Sequence, residues 1–122
     1  MSKKKISLTK VPKLQRNGET GVVRTNNYGA GWSTWANDDW AALLSMHCDI
    51  VQAVSDKDYD EAARLAKSIV REVTKDPKAY VCVLGAKNLV VEWVDIGSHF
   101  EILEYDGLES LSIVGKGSYL TA

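Results

Sequence analysis

Apolar and polar residues alternate along this chain in three textures. In KKISLTKV, Ile6, Leu8 and Lys10 share the phase of a half-buried strand, and after Asn17-Gly18 the run TGVVRT is expected to return antiparallel to it. Asn-Gly is a strong hairpin signal because a type I′ turn needs positive φ at both central positions. Pro12 limits how far the first strand can pair. From Trp40 the apolar period changes to that of a helix, through Leu43, Leu44, His47, Cys48, Val51 and Val54 on one face, with Asn37 as N-cap and Asp38 and Asp39 in the first turn. SDKD interrupts it, and Asp58 with Glu61 forms a capping-box pattern. A second helix then carries Tyr59, Ala62, Ala63, Ala66, Ile69, Val70 and Val73 on one side and ends before Pro77.

Beyond Pro77 the texture is that of strands. AYVCVLG, LVVEWVDI, HFEILEY and LESLSIV are separated by GAKN, GS and Asp106-Gly107, the last a second tight-turn signal. The expected fold class is α+β: an N-terminal β-hairpin, an αα-hairpin, then three to four mostly antiparallel strands in one sheet with the helices packed on one face. A single domain spans residues 1–122, long enough to bury a core without disulfide or metal support.

Hydrophobic content of 45% with 25% charged residues is that of a soluble globular protein. The longest apolar runs are too short to span a membrane, and the segment behind MSKKK lacks the apolar stretch of a signal peptide, so a cytoplasmic location is expected. Cys48 and Cys82, on the expected helix and strand, lack metal-ligand spacing and are expected as reduced, buried thiols. The formal net charge of −1 hides an asymmetry: residues 1–30 carry seven basic side chains against one acidic, and the remainder eight against fifteen. That acidic remainder would repel a phosphate backbone, which disfavours a nucleic-acid partner.

The stretch without periodicity, residues 26–36, is the most unusual. In YGAGWSTW, Gly29 and Gly31 allow close backbone approach, Trp32 and Trp35 offer flat surfaces, and Tyr28, Ser33, Thr34 and Asn37 offer hydrogen-bonding groups. The loop leads into a helix N-terminus, where free amides favour an anion. Two readings stay open: a ligand site, or tryptophans that plug the gap between sheet and helix. GAGWST lacks the third glycine of a dinucleotide fingerprint and the lysine of a P-loop, so no nucleotide cofactor is expected.

YGAGWSTW, together with FEILEYDGLESL and the terminal YLTA, resembles a set of small phage-encoded proteins and their prophage relatives that share this loop and a C-terminal Glu-Tyr-Asp-Gly segment followed by Glu-Ser. The resemblance covers the two ends of the chain and implies a phage or mobile-element context inside the host cell. It adds Tyr105, Asp106, Glu109 and Ser110 to the candidates, on the expectation that the two segments converge. Against it, Asp106-Gly107 explains itself as a turn and Glu109 as a solvated strand position.

Other constellations are weaker. His47 reads as a core histidine bonded to backbone, and His47 and Cys48, adjacent on a helix, would point roughly 100° apart and make a poor nucleophile–base pair. No metal site is expected. Glu92, Glu101, Glu104 and Asp106 would need cross-strand pairing to act as acid and base. Trp93 reads as an inward sheet residue. The leading expectation is a non-enzymatic phage accessory protein that binds a small polar, nucleotide-like ligand through residues 28–37 and sequesters a host signal. Its alternatives are a protein-interaction module that inhibits a host enzyme, and an enzyme using Arg24, Glu101 and Asp106. Self-association into a homo-oligomer is expected in addition.

Overall fold

A computed structural model describes residues 11–114 and 120–122. Its elements are β1 (Gln15–Arg16), β2 (Glu19–Thr25), α1 (Ala41–Met46), α2 (Cys48–Ser55), α3 (Tyr59–Thr74), β3 (Leu89–Asp95), β4 (His99–Tyr105), β5 (Leu108–Val114) and β6 (Leu120–Thr121). The fold is α+β, with an N-terminal hairpin turning at Asn17-Gly18, both at positive φ. The expected strand through Ile6 and Leu8 lies outside the described residues.

The strands form two antiparallel three-stranded sheets, β1-β2-β3 and β5-β4-β6, rather than the single sheet expected. β3 and β4 follow each other through a short turn yet do not pair. Instead, β2 runs alongside β3 from Glu19↔Asp95 to Thr25↔Leu89, and β4 alongside β5 from His99↔Val114 to Tyr105↔Leu108. The two sheets meet where the end of β2 reaches the start of β5.

Helices α1 and α2 pack on β2, and α3 packs on α2. The core between them holds Val23, Leu43, Leu44, Ile50, Val51, Ala62, Ala66 and Val70, all nearly inaccessible to solvent. Small Ala62 and Ala66 on α3 let it approach α2 closely. Asp58 caps α3 by accepting the Glu61 amide at 3.2 Å, and Lys75 ends it in the left-handed conformation.

Two expected elements differ. The helix expected from Trp40 to Val54 breaks at His47, whose backbone is extended (φ −56°, ψ 128°) and bridges to Lys13, while the Cys48 amide donates to Pro12 O at 2.7 Å. The N-terminal segment thus takes backbone groups that a continuous helix would have used. AYVCVLG forms no ladder. Ala79 and Val81 are buried and Tyr80 is exposed, so the alternation is real, but the segment lies on the core without a strand partner. A period of two reports one buried face, not a hydrogen-bonded neighbour.

Candidate functional site

The Gly/Trp loop and the β4–β5 hairpin converge, and a buried carboxylate joins them. Glu109, on β5, is fully buried, which corrects its reading as a solvated strand position. Its Oε1 accepts the Thr25 amide at 3.0 Å; its Oε2 accepts the amides of Trp32 at 2.7 Å and Thr34 at 3.1 Å, and also the Thr34 hydroxyl. All four partners are donors, which suits a group that only accepts when ionised. Of the amides expected to receive a ligand's anionic part, near Ser33, Thr34 and Asn37, that of Thr34 is therefore occupied by the protein's own carboxylate.

The hairpin tip is seated equally closely. Asp106 and Gly107 take positive φ, the Gly29 amide donates to Asp106 O at 2.8 Å, and the Thr25 hydroxyl donates to Gly107 O at 2.7 Å. A Cβ on Gly107 would lie 2.4 Å from the Ala30 nitrogen, so only glycine fits here. Glu104 accepts the Trp35 indole N–H at 3.0 Å and the Gly107 amide at 2.8 Å; these two bonds, the indole's first, hold its carboxyl below the usual range.

Around this tip the aromatics separate into two kinds. Trp32 is 1% exposed and donates its indole N–H to Leu44 O at 2.9 Å, so it is core and offers no stacking face. Tyr28, Trp35 and Tyr105 are 58%, 42% and 75% exposed, and the Tyr28 and Tyr105 rings meet edge to face at 6.4 Å. Gly31 is buried, and a side chain there would collide with Trp35. Asn37 caps the short turn Asp38–Trp40 by accepting the Asp39 amide at 2.9 Å, as expected of an N-cap. Ser33 is buried, and Ser110 is exposed on β5 opposite Leu103.

The three residues proposed for an enzyme occupy separate places. Arg24 pairs with Glu92 and donates further to Thr25 O, Asn26 and Glu109 O. Asp106 is exposed at the hairpin tip, and Glu101 sits five residues before it along the strand, roughly 16 Å away at strand rise. Glu92, Glu101, Glu104 and Asp106 likewise do not form one acid–base pair: Glu92 belongs to Arg24, Glu104 to the loop.

The break at His47 brings His47, Cys48 and Asp49 together, their ligand-type atoms all within 4.8 Å of one another. His47 and Cys48 thus do not diverge as neighbours on one helix would, because no continuous helix passes through them. Their chemistry still opposes a reactive pair. His47 is half-buried rather than core, and its Nδ1 is spent accepting the Asp49 amide at 3.1 Å. Burial and the Asp49 charge push the Cys48 thiol up, away from the thiolate a nucleophile or metal ligand needs. Both cysteines are free, and each is half-buried rather than buried. Trp93 is half-buried beside Gly21, with the Arg16 guanidinium 4.8 Å above its ring.

Thr25, Glu104 and Gly107, not among the expected ligand-site residues, also belong to this joint. Glu109 carried no clear mark of burial in the sequence: Leu111 shares its phase on β5, but Ile113 in the same phase is 59% exposed, and Leu108 and Val114 lie in the other phase. Among the described residues no helix is long and apolar enough to cross a membrane. Comparison with protein-family models, with curated proteins and with solved structures finds no match to the chain.

Proposed function

We propose that this is a non-enzymatic phage accessory protein that binds a small polar ligand at the surface shared by the 28–37 loop and the β4–β5 hairpin tip, and so sequesters a host signal. One observation carries the reading: a fully buried carboxylate, Glu109, fixes loop and hairpin to each other while Tyr28, Trp35 and Tyr105 stay exposed around the joint. Exposed aromatics on a rigid support lose little freedom when a flat ring stacks on them. Because Glu109 holds the Trp32 and Thr34 amides, and Arg24 is committed to Glu92, the recognised part is the ring of a nucleotide-like compound rather than its phosphate.

The same exposure supports a second reading, a protein-interaction module that inhibits a host enzyme, since Tyr and Trp dominate hot spots at protein interfaces. Native mass spectrometry of the protein from infected-host lysate, before and after denaturation, separates the two. A small mass released on denaturation, and lost from Trp35→Ala and Tyr105→Ala, supports the ligand reading. A ligand-free protein that retains a host protein, lost on the same substitutions, supports the second. Retention of either unchanged by both substitutions overturns the assignment of this surface.

A further inference from the structure

Among the described residues, the outer edge of β5 is the strand edge this fold leaves unguarded. β1 and β6 are very short, and β3, outermost in the first sheet, carries Glu92 and Asp95. Short strands and charged side chains are what keep an edge from pairing with another chain. The far edge of β4 is taken by β6 at His99 and Phe100 and then faces the Ser33–Trp35 turn. On β5, by contrast, residues 110–114 (SLSIV) hold no charge and no proline, and Ile113 is 59% exposed.

The hairpin decides which backbone groups that edge offers. Asp106 and Gly107, both at positive φ, form a two-residue turn that makes Tyr105 and Leu108 a hydrogen-bonded pair. Alternation then turns the N–H and C=O of Ser110 and Ser112 toward β4, and those of Glu109, Leu111 and Ile113 away from it. Arg24 bears out this parity by donating to Glu109 O at 3.1 Å from outside the sheet. Beyond Glu109, the outward N–H and C=O groups of Leu111 and Ile113 have no partner among the described residues.

We propose that the chain forms a homodimer in which residues 110–114 of two copies pair antiparallel about a two-fold axis, with Ser112 opposite the partner's Ser112. Leu111 then exchanges both N–H···O bonds with the partner's Ile113, and Ile113 with the partner's Leu111, which joins the two β5-β4-β6 sheets into one. The segment is complementary to itself. Each exposed Ile113 gains an apolar cross-strand neighbour, and no like charges are opposed. This register uses both open residues of each copy and stops short of Glu109, whose carbonyl Arg24 already holds. Tyr28, Trp35 and Tyr105 take no part in it, so the dimer and the proposed ligand surface stand or fall on different residues.

Analytical ultracentrifugation of the full chain at about 100 μM, a level that populates even a small interface, should give twice the monomer mass. Ile113→Pro removes an N–H that faces away from β4, and Ile113→Lys places a charge on the edge; each should weaken the dimer at least about tenfold. Both keep the hydrogen bonds between β4 and β5, so circular dichroism should be unchanged. The register is read separately, in a chain with Cys48 and Cys82 replaced by serine. Facing residues in a non-hydrogen-bonded antiparallel pair lie about 4.5 Å apart at Cα, within disulfide reach, so Ser112→Cys should cross-link two copies under oxidised glutathione. Ser110→Cys, opposite the partner's Val114, should not. A monomer at this concentration, a dimer that survives both Ile113 substitutions, or cross-linking at position 110 as ready as at 112 would overturn the proposal.

Discussion

Glu109 accepts the Trp32 amide at 2.7 Å across 77 residues of sequence, and through this bond the C-terminal sheet holds the loop that enters the helical layer. The same oxygen holds Thr34, and the other oxygen holds Thr25 at the end of β2. Three segments thus share one buried charge. The carboxylate occupies the place an anionic ligand would take at a free set of loop amides, which turns a potential phosphate cradle into a structural joint.

Removing that joint should be costly. Glu109→Ala leaves three backbone donors and a hydroxyl without their acceptor in a site closed to water, and about 3–5 kcal/mol of stability should be lost. Glu109→Gln keeps one acceptor oxygen and replaces the other with a donor that faces N–H groups, so it should lose about 2–3 kcal/mol. Urea unfolding midpoints measure both. A loss below about 1 kcal/mol for the alanine variant would show that the joint does not hold the loop.

Two glycines at positive φ separate backbone strain from steric exclusion. Gly18→Ala meets nothing within 4 Å at φ +79°, so only conformational strain applies, about 1 kcal/mol. Gly107→Ala, at φ +90°, would place its Cβ 2.4 Å from Ala30 N and 2.6 Å from Gly29 C, backbone atoms that cannot swing away as a side chain does. A loss of about 3 kcal/mol is expected, with shifted amide resonances for Gly29 and Ala30. Equal losses at the two positions would mean that loop and hairpin are not in contact.

The parts of this arrangement that the sequence makes legible are those set by local chemistry. Asn17-Gly18 and Asp106-Gly107 form the turns their φ requirements demand, Asp58 caps α3, and β3, β4 and β5 coincide with the apolar, β-branched and aromatic runs between turn signals. What stayed hidden depends on distant partners. The helix breaks at His47 because Pro12 and Lys13 take its backbone groups, and AYVCVLG alternates buried and exposed residues at its start but finds no strand to pair with. Glu109 looks like a solvated residue until register places it opposite Glu104 and against a loop from the other end of the chain. A ligand stripe and a core plug also look alike in sequence: Trp32 proved to be buried, whereas Trp35, three residues on, is exposed.

That difference predicts opposite behaviour for the two tryptophans. Trp32→Ala should cost about 3–5 kcal/mol, since a fully buried ring and its bond to Leu44 O are lost together. Trp35→Phe should change stability by less than about 1 kcal/mol. It removes the indole N–H that does most to hold the Glu104 carboxyl down, so Glu104 should titrate closer to the ordinary carboxylate value, with the Gly107 amide retaining part of the effect. A carboxyl-carbon NMR titration reads this directly. An unchanged Glu104 titration would place the cause elsewhere than Trp35.

His47 should make stability depend on pH near neutrality. Its Nδ1 accepts the Asp49 amide at the start of α2, a bond available only to the neutral ring, and burial lowers its pKa against the opposing pull of the Asp49 charge. The unfolded chain, with an ordinary histidine pKa of about 6.5, therefore binds the proton at higher pH than the native protein does. The contribution is complete above that value, falls as pH drops through it toward the lowered native pKa, and is constant again below the native pKa. His47→Asn keeps a capping acceptor but has no proton to bind, so urea midpoints should lose this slope between about pH 7 and 5. His47→Ala should also lose the slope and should be less stable at neutral pH by about 1 kcal/mol, the usual worth of a cap. A wild-type slope persisting in His47→Asn would assign the pH dependence to another group and leave the break between α1 and α2 as a backbone feature alone.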